Sequence, residues 1–192
     1  MTARPEMSRG KPDLGMTSLL IVELVIGYEW FMSGLVKIVR GDFPSGLAAV
    51  LLEKLPQVSP WYASVMKRNF IPNAEPFGYV IEIAELLAGI ILIVGPLIWI
   101  FAWDRIPYWT RVTVLWLITL AAIGGTFLTV NLHLANGGTQ PWLLPRDSFD
   151  EGVDFDSVLP ALQIVIVWMS LLHLQRLWRG RSSGDRPGPV AS

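Results

Sequence analysis

Apolar residues along this chain come in runs long enough to cross a bilayer, separated by stretches broken by proline, glycine and charge. A helical span needs roughly 20 consecutive, mostly apolar residues. Four segments meet that length: about 16–39, 76–103, 108–132 and 157–178. The pattern predicts an all-α membrane four-helix bundle, with short interfacial helices in the long outer loops. The membrane domain is expected over 16–178, flanked by disordered cytoplasmic tails at 1–15 and 179–192. The first apolar run is too long for a secretory signal, and no clear small-residue cleavage site follows it, so it reads as a retained helix.

The long stretch 40–73 is too polar to span, and Pro44, Pro56, Pro60 and Pro72 divide it. Leu47, Val50, Leu51 and Leu55 form one helical apolar face; Tyr62, Val65, Met66 and Asn69 or Phe70 form a weaker one. Both fit helices lying at the membrane surface, with Trp61 and Tyr62 in the aromatic belt. Pro107 closes a very short turn after span two, so spans two and three are antiparallel neighbours. Span three carries Gly124–Gly125 and Thr113, Thr119, Thr126 and Thr129, suited either to bonding backbone carbonyls or to close helix packing. A second long connection, 133–156, ends in an acidic run that leads into span four at Asp156–Ser157, with Pro160 in its first turn.

Polar positions inside the spans change the picture. A charge at membrane depth costs on the order of 3 kcal/mol or more, so it normally faces the bundle interior and finds a partner. In span one, Glu29, Ser33 and Lys37 stack on one face, with Glu23, Trp30 and Gly34 beside them. In span two, Glu75, Gly78, Glu82, Glu85 and Gly89 follow a 3-4-3-4 spacing, a single stripe of polar and small residues. The two stripes are expected to face each other, with Lys37 neutralising Glu82 or Glu85. Lys37, Glu29, Glu82 and Glu85 are the candidate proton-handling or anion-binding residues; a structural ion-pair network that sets helix register is the alternative. Arg40, Lys67 and Arg68 form an outer basic group able to steer a small anion to that cluster, or simply to anchor on lipid headgroups. Trp30 and Trp61 are candidates to stack a quinone ring, against belt anchoring as the default for most of the nine tryptophans.

Composition agrees with a membrane chain and closes off other chemistries. Of 192 residues, 52% are hydrophobic and 16% charged, and the mean hydropathy is +0.47. A net charge of -1 gives no general attraction to nucleic acid. With no cysteine there is no disulfide, thiolate zinc site, iron–sulfur ligation or cysteine nucleophile on this chain. His133 and His173 sit at different depths and cannot share one haem iron. The acidic run 147–156 lacks the spacing of a calcium loop, and no metal site is expected. Nine lysines and arginines flank the ends that carry the termini, against five on the much longer opposite loops. That bias places both termini in the cytoplasm and the chain in the cytoplasmic membrane.

Three stretches carry a resemblance: GYEWFMSGLVKIVRGDFPSGL, PWYASVMKRNFIPNAEPFGYVIEIAELLAGIILIVG and NLHLANGGTQPW. Within them lie W-F-x-S-G-x-x-K (Trp30, Phe31, Ser33, Gly34, Lys37), a P-x-Y-x-x-x-x-K-R-x-x-x-P loop (Pro60, Tyr62, Lys67, Arg68, Pro72) and E-x-x-x-G (Glu85, Gly89). These pieces cover under half the chain and resemble the DoxX/DoxD family of small four-helix membrane proteins. The resemblance implies a membrane subunit of the thiosulfate:quinone oxidoreductase type, or a non-catalytic accessory subunit of a larger redox or energy-converting complex. It implies quinone as the cofactor, and other membrane or peripheral subunits as partners. With no cysteine, evident haem or flavin motif here, a partner must supply electron transfer unless two thiosulfates react directly beside a quinone. A small-anion transporter is a third possibility, without the discontinuous-helix repeat that would support it.

Overall fold

A computed structural model of the chain describes residues 14–137 and 155–184. Among the described residues six α-helices run in chain order: α1 (Leu14–Arg40), α2 (Phe43–Lys54), α3 (Pro60–Val65), α4 (Ala74–Ala102), α5 (Tyr108–Ala135) and α6 (Phe155–Gly184). α1, α4, α5 and α6 are each long and apolar enough to cross a membrane. The chain is an all-α integral membrane protein, as the hydropathy pattern predicts. Most of the expected acidic run, most of the expected N-terminal tail and residues 185–192 lie outside the described residues.

α1 and α4 are antiparallel, because partner numbers fall on α4 as they rise on α1. Gly27 meets Leu92, Phe31 meets Gly89 and Gly34 meets Leu86. A Cβ on Gly27 would lie 2.8 Å from the Leu92 carbonyl carbon, and one on Gly34 would lie 2.9 Å from the Glu82 carbonyl oxygen. Side chains larger than hydrogen would push the helices apart. In lipid, where no hydrophobic force draws helices together, such backbone approach supplies the packing. α5 then packs on α4, and α6 on α5.

Gly41 ends α1 in the left-handed region (φ +70), where glycine carries no Cβ penalty, and its N–H bonds the Lys37 carbonyl at 3.0 Å. The chain then turns into α2, with Pro44 at the helix start against Gly78 of α4. The connection continues through a 3₁₀ turn (Leu55–Gln57), α3, a π-helical turn (Met66–Phe70) and a second 3₁₀ turn (Ile71–Asn73) into α4. Val58, Tyr62, Met66 and Ala135 form a small core beneath these pieces. The Tyr62 hydroxyl donates to Asn131 Oδ1 at 2.9 Å, and Lys54 donates to Asn136, which ties the connection to the end of α5.

Ile26, Trp30, Leu92, Ile118, Ala122, Leu159 and Ile166 fill the middle of the bundle. Of the two uses open to the threonines of α5, three choose their own helix. Thr119, Thr126 and Thr129 donate to carbonyls four residues back, at 2.7–2.8 Å. Gly124 faces away from the bundle, whereas Gly125 packs against Gln163 and Trp30. α6 starts at Phe155, which leaves Pro160 inside the helix, and it continues to Gly184, past the expected end near Trp178.

Candidate functional site

The interior stripe of α1 is Glu23, Ile26, Trp30, Ser33–Gly34 and Lys37. The interior stripe of α4 is Gly78, Glu82, Glu85, Gly89 and Leu92, all buried. Where the two meet near α2, the ion pair expected of Lys37 forms with Glu85. The Lys37 ammonium donates to the Glu85 carboxylate and to Ser33 Oγ at 2.8 Å; Ser33 Oγ donates to the same carboxylate oxygen at 2.9 Å. Glu85 is fully enclosed, its side chain 1% exposed, whereas Lys37 at 22% keeps one side open. The Phe43 ring, at the start of α2, lies 5.0 Å from the ammonium and shields it. Three elements therefore build the site: α1 brings the cation and hydroxyl, α4 the carboxylate, and α2 the aromatic cover.

Glu82 lies one turn before Glu85 and is also buried, yet its Oε2 has no hydrogen-bond partner among the described residues. The site thus holds two carboxylates on one helix face and one ammonium. Glu85 is committed to Lys37 and Ser33. Glu82 has an oxygen left for another donor, which is what proton exchange requires.

Glu29 is not part of this arrangement; its side chain is exposed and turned out of the bundle. Its 4-4 spacing to Lys37 accumulates a rotation of about 80° at 100° per residue, whereas a seven-residue step drifts only about 20°. The seven-residue series through Lys37 is Trp30 and Glu23, and those are the buried positions. Glu75 is likewise exposed at the start of α4. Arg40, Lys67 and Arg68 are all exposed around the same end of the bundle, Lys67 and Arg68 on the π-helical turn.

Trp30 and Trp61 are not brought together. Trp30 is 5% exposed in the central core, near Gly125 and Gln163, and its indole N–H has no partner among the described residues. Trp61 is 61% exposed on α3 and packs edge-on against Tyr62. The two candidates therefore offer a quinone ring separate surroundings, Trp30 in the core and Trp61 on a surface helix. Gln163 of α6 is fully buried with both amide atoms unbonded among the described residues, and Glu23 Oε1 is in the same condition. A lone glutamine in an apolar run carries no spacing signal, so Gln163 was invisible to pattern; Glu23 stood on the Lys37 heptad.

His173 Nδ1 lies 2.8 Å from the Met169 carbonyl, and its ring stands edge-on to Trp99. His133 is at the far end of α5, and no group of three or more metal-ligating side chains forms among the described residues. Comparison of the chain with protein-family models, with curated proteins and with solved structures found no match.

Proposed function

We propose that this chain is a membrane subunit of a quinone-linked electron-transfer system of the thiosulfate:quinone oxidoreductase type, resembling the DoxX/DoxD proteins. Its own contribution is the Lys37–Glu85–Glu82 site. One observation carries the reading: a buried carboxylate tied to lysine and serine, with a second buried carboxylate one turn away that keeps an unbonded oxygen. Intramembrane ionisable clusters with spare bonding capacity mark ion and proton pathways.

In this reading both termini lie in the cytoplasm and the connection 41–73 lies outside; the charge bias supports that orientation. Arg40, Lys67 and Arg68 draw a sulfur oxyanion to the outer end of the bundle, next to Lys37. In the overall reaction two thiosulfates each give up one electron and join through a new S–S bond to form tetrathionate. The two electrons, with two protons, convert a quinone into its quinol. Glu82 exchanges protons with that half-reaction. The electron-transfer group belongs to a partner subunit, because this chain carries no cysteine, evident haem ligation or flavin motif of its own.

The test is thiosulfate-dependent reduction of a soluble quinone analogue by the purified chain, alone and with the proteins that co-purify with it. Activity in the second preparation supports the proposal. Inactivity in both leaves the accessory-subunit reading, which one further observation favours: the space between α1 and α4 is closed by backbone contact at Gly34 and Gly89.

A further inference from the structure

At the opposite end of the bundle, where α5 begins and α6 ends, a surface groove of about 510 Å³ opens between the two helices. Tyr108, Trp109, Arg176, Leu177, Gly180 and Arg181 line it. The Arg181 guanidinium carbon lies 5.1 Å from the ring centroids of both Tyr108 and Trp109, which hold it over the groove. Those rings meet edge to face at 5.2 Å. No carboxylate lines the groove, and neither Arg176 nor Arg181 is ion-paired among the described residues. Gly180 leaves the floor open, since a Cβ there would meet nothing within 4 Å.

We propose that this groove binds the phosphate of an anionic phospholipid headgroup. Two guanidiniums offer fork-shaped donor sets that match phosphate oxygens. Trp109 is 65% exposed beside them, and Trp178 of α6 is 51% exposed, as tryptophans at the headgroup level are. Leu177 and the aromatic faces receive the glycerol and the first acyl carbons. The position fixes the source: the groove lies at the end of two membrane spans, where a lipid headgroup is always within reach and a soluble phosphate must compete with it. A zwitterionic headgroup brings its own cation and gains less from two arginines, so the site discriminates by net charge.

The test uses the full chain in nanodiscs of equal parts phosphatidylglycerol and phosphatidylcholine with the same acyl chains, and native mass spectrometry to count retained lipids. The wild type is expected to retain one phosphatidylglycerol in preference. Arg176→Gln with Arg181→Gln should lower that retention about tenfold or more. Arg105→Gln with Arg179→Gln removes the same charge outside the groove and should leave it near wild type. Equal retention of the two lipids by the wild type, or equal loss in both double variants, overturns the proposal. A second arm adds millimolar inorganic phosphate to the detergent-solubilised chain. If phosphate raises the melting temperature as phosphatidylglycerol does and displaces the lipid, a soluble ligand replaces the lipid and the proposal fails. Should the double variant not fold, the single variants decide, each being expected to retain less phosphatidylglycerol than wild type.

Discussion

Lys37→Met strips the cation from a carboxylate that has almost no access to water. Glu85 is 1% exposed and, among the described residues, would keep only the Ser33 hydroxyl as a partner. Breaking a buried pair by removing one member costs roughly 3–5 kcal/mol, because the remaining charge stays desolvated. The low end applies here, since Lys37 is 22% exposed and water can enter as the side chain is shortened. At roughly 2–4 °C per kcal/mol for a chain of this size, about 3 kcal/mol corresponds to a fall of about 6–12 °C in Tm. Glu85→Gln alone strands the ammonium instead, at smaller cost, because Lys37 can turn toward the open side. The double variant leaves two neutral groups of similar shape and should recover about 1–3 kcal/mol of the summed losses. Thermal unfolding of the four proteins in one detergent measures this cycle. Additivity within about 0.5 kcal/mol would show that the two residues do not interact and would refute the site's geometry.

Three further outcomes follow from the packing and the topology. Gly89→Val places a Cβ 2.7 Å from that of Phe31 and should cost about 1–3 kcal/mol in the same thermal assay, whereas Gly124→Ala, with open space around it, should be neutral. Gln163→Leu removes two buried polar atoms that have no partner among the described residues, so Tm should hold or rise, by up to about 1 kcal/mol of stability; a large fall would reveal a bonding partner. In intact cells, Ser64→Cys should react with a membrane-impermeant maleimide and Thr110→Cys only after permeabilisation; both are exposed at opposite ends of the bundle, and the reverse pattern would invert the proposed orientation.

The spans were legible because lipid imposes one demand, a long apolar helix, that leaves a continuous mark in the sequence. The α4 stripe from Gly78 to Gly89 was legible for the same kind of reason: its 4-3-4 spacing stays on one face over three turns, although Glu75, which the pattern adds at its start, is exposed. From it, and from the single lysine in span one, the pairing of Lys37 with Glu82 or Glu85 could be expected, and Glu85 is the one used. Glu29 misled because a 4-4 spacing feels periodic over two turns yet drifts off the interface. Trp30 and Trp61 were each singled out by chemistry alone; nothing in sequence distance says that one lies in the core and the other on a surface helix. Gln163 gave no signal, because what matters about it is the absence of a bonding partner on three other helices. The basic groove between α5 and α6 joins residues about seventy positions apart and emerges only when the helices are packed.

We propose that the Lys37–Glu85–Glu82 site serves electron transfer rather than helix register alone. Glu82→Gln tests it most directly, since this isostere keeps the Lys37–Glu85 pair and removes only the ability of Glu82 to exchange a proton. The measurement is the rate of thiosulfate-dependent quinone-analogue reduction by the complex isolated with this chain, alongside its Tm. The expected rate is lower by about a hundredfold with Tm unchanged, the usual scale for a lost acid–base group. An unchanged rate in Glu82→Gln, or no thiosulfate-dependent rate in the wild type, would contradict it.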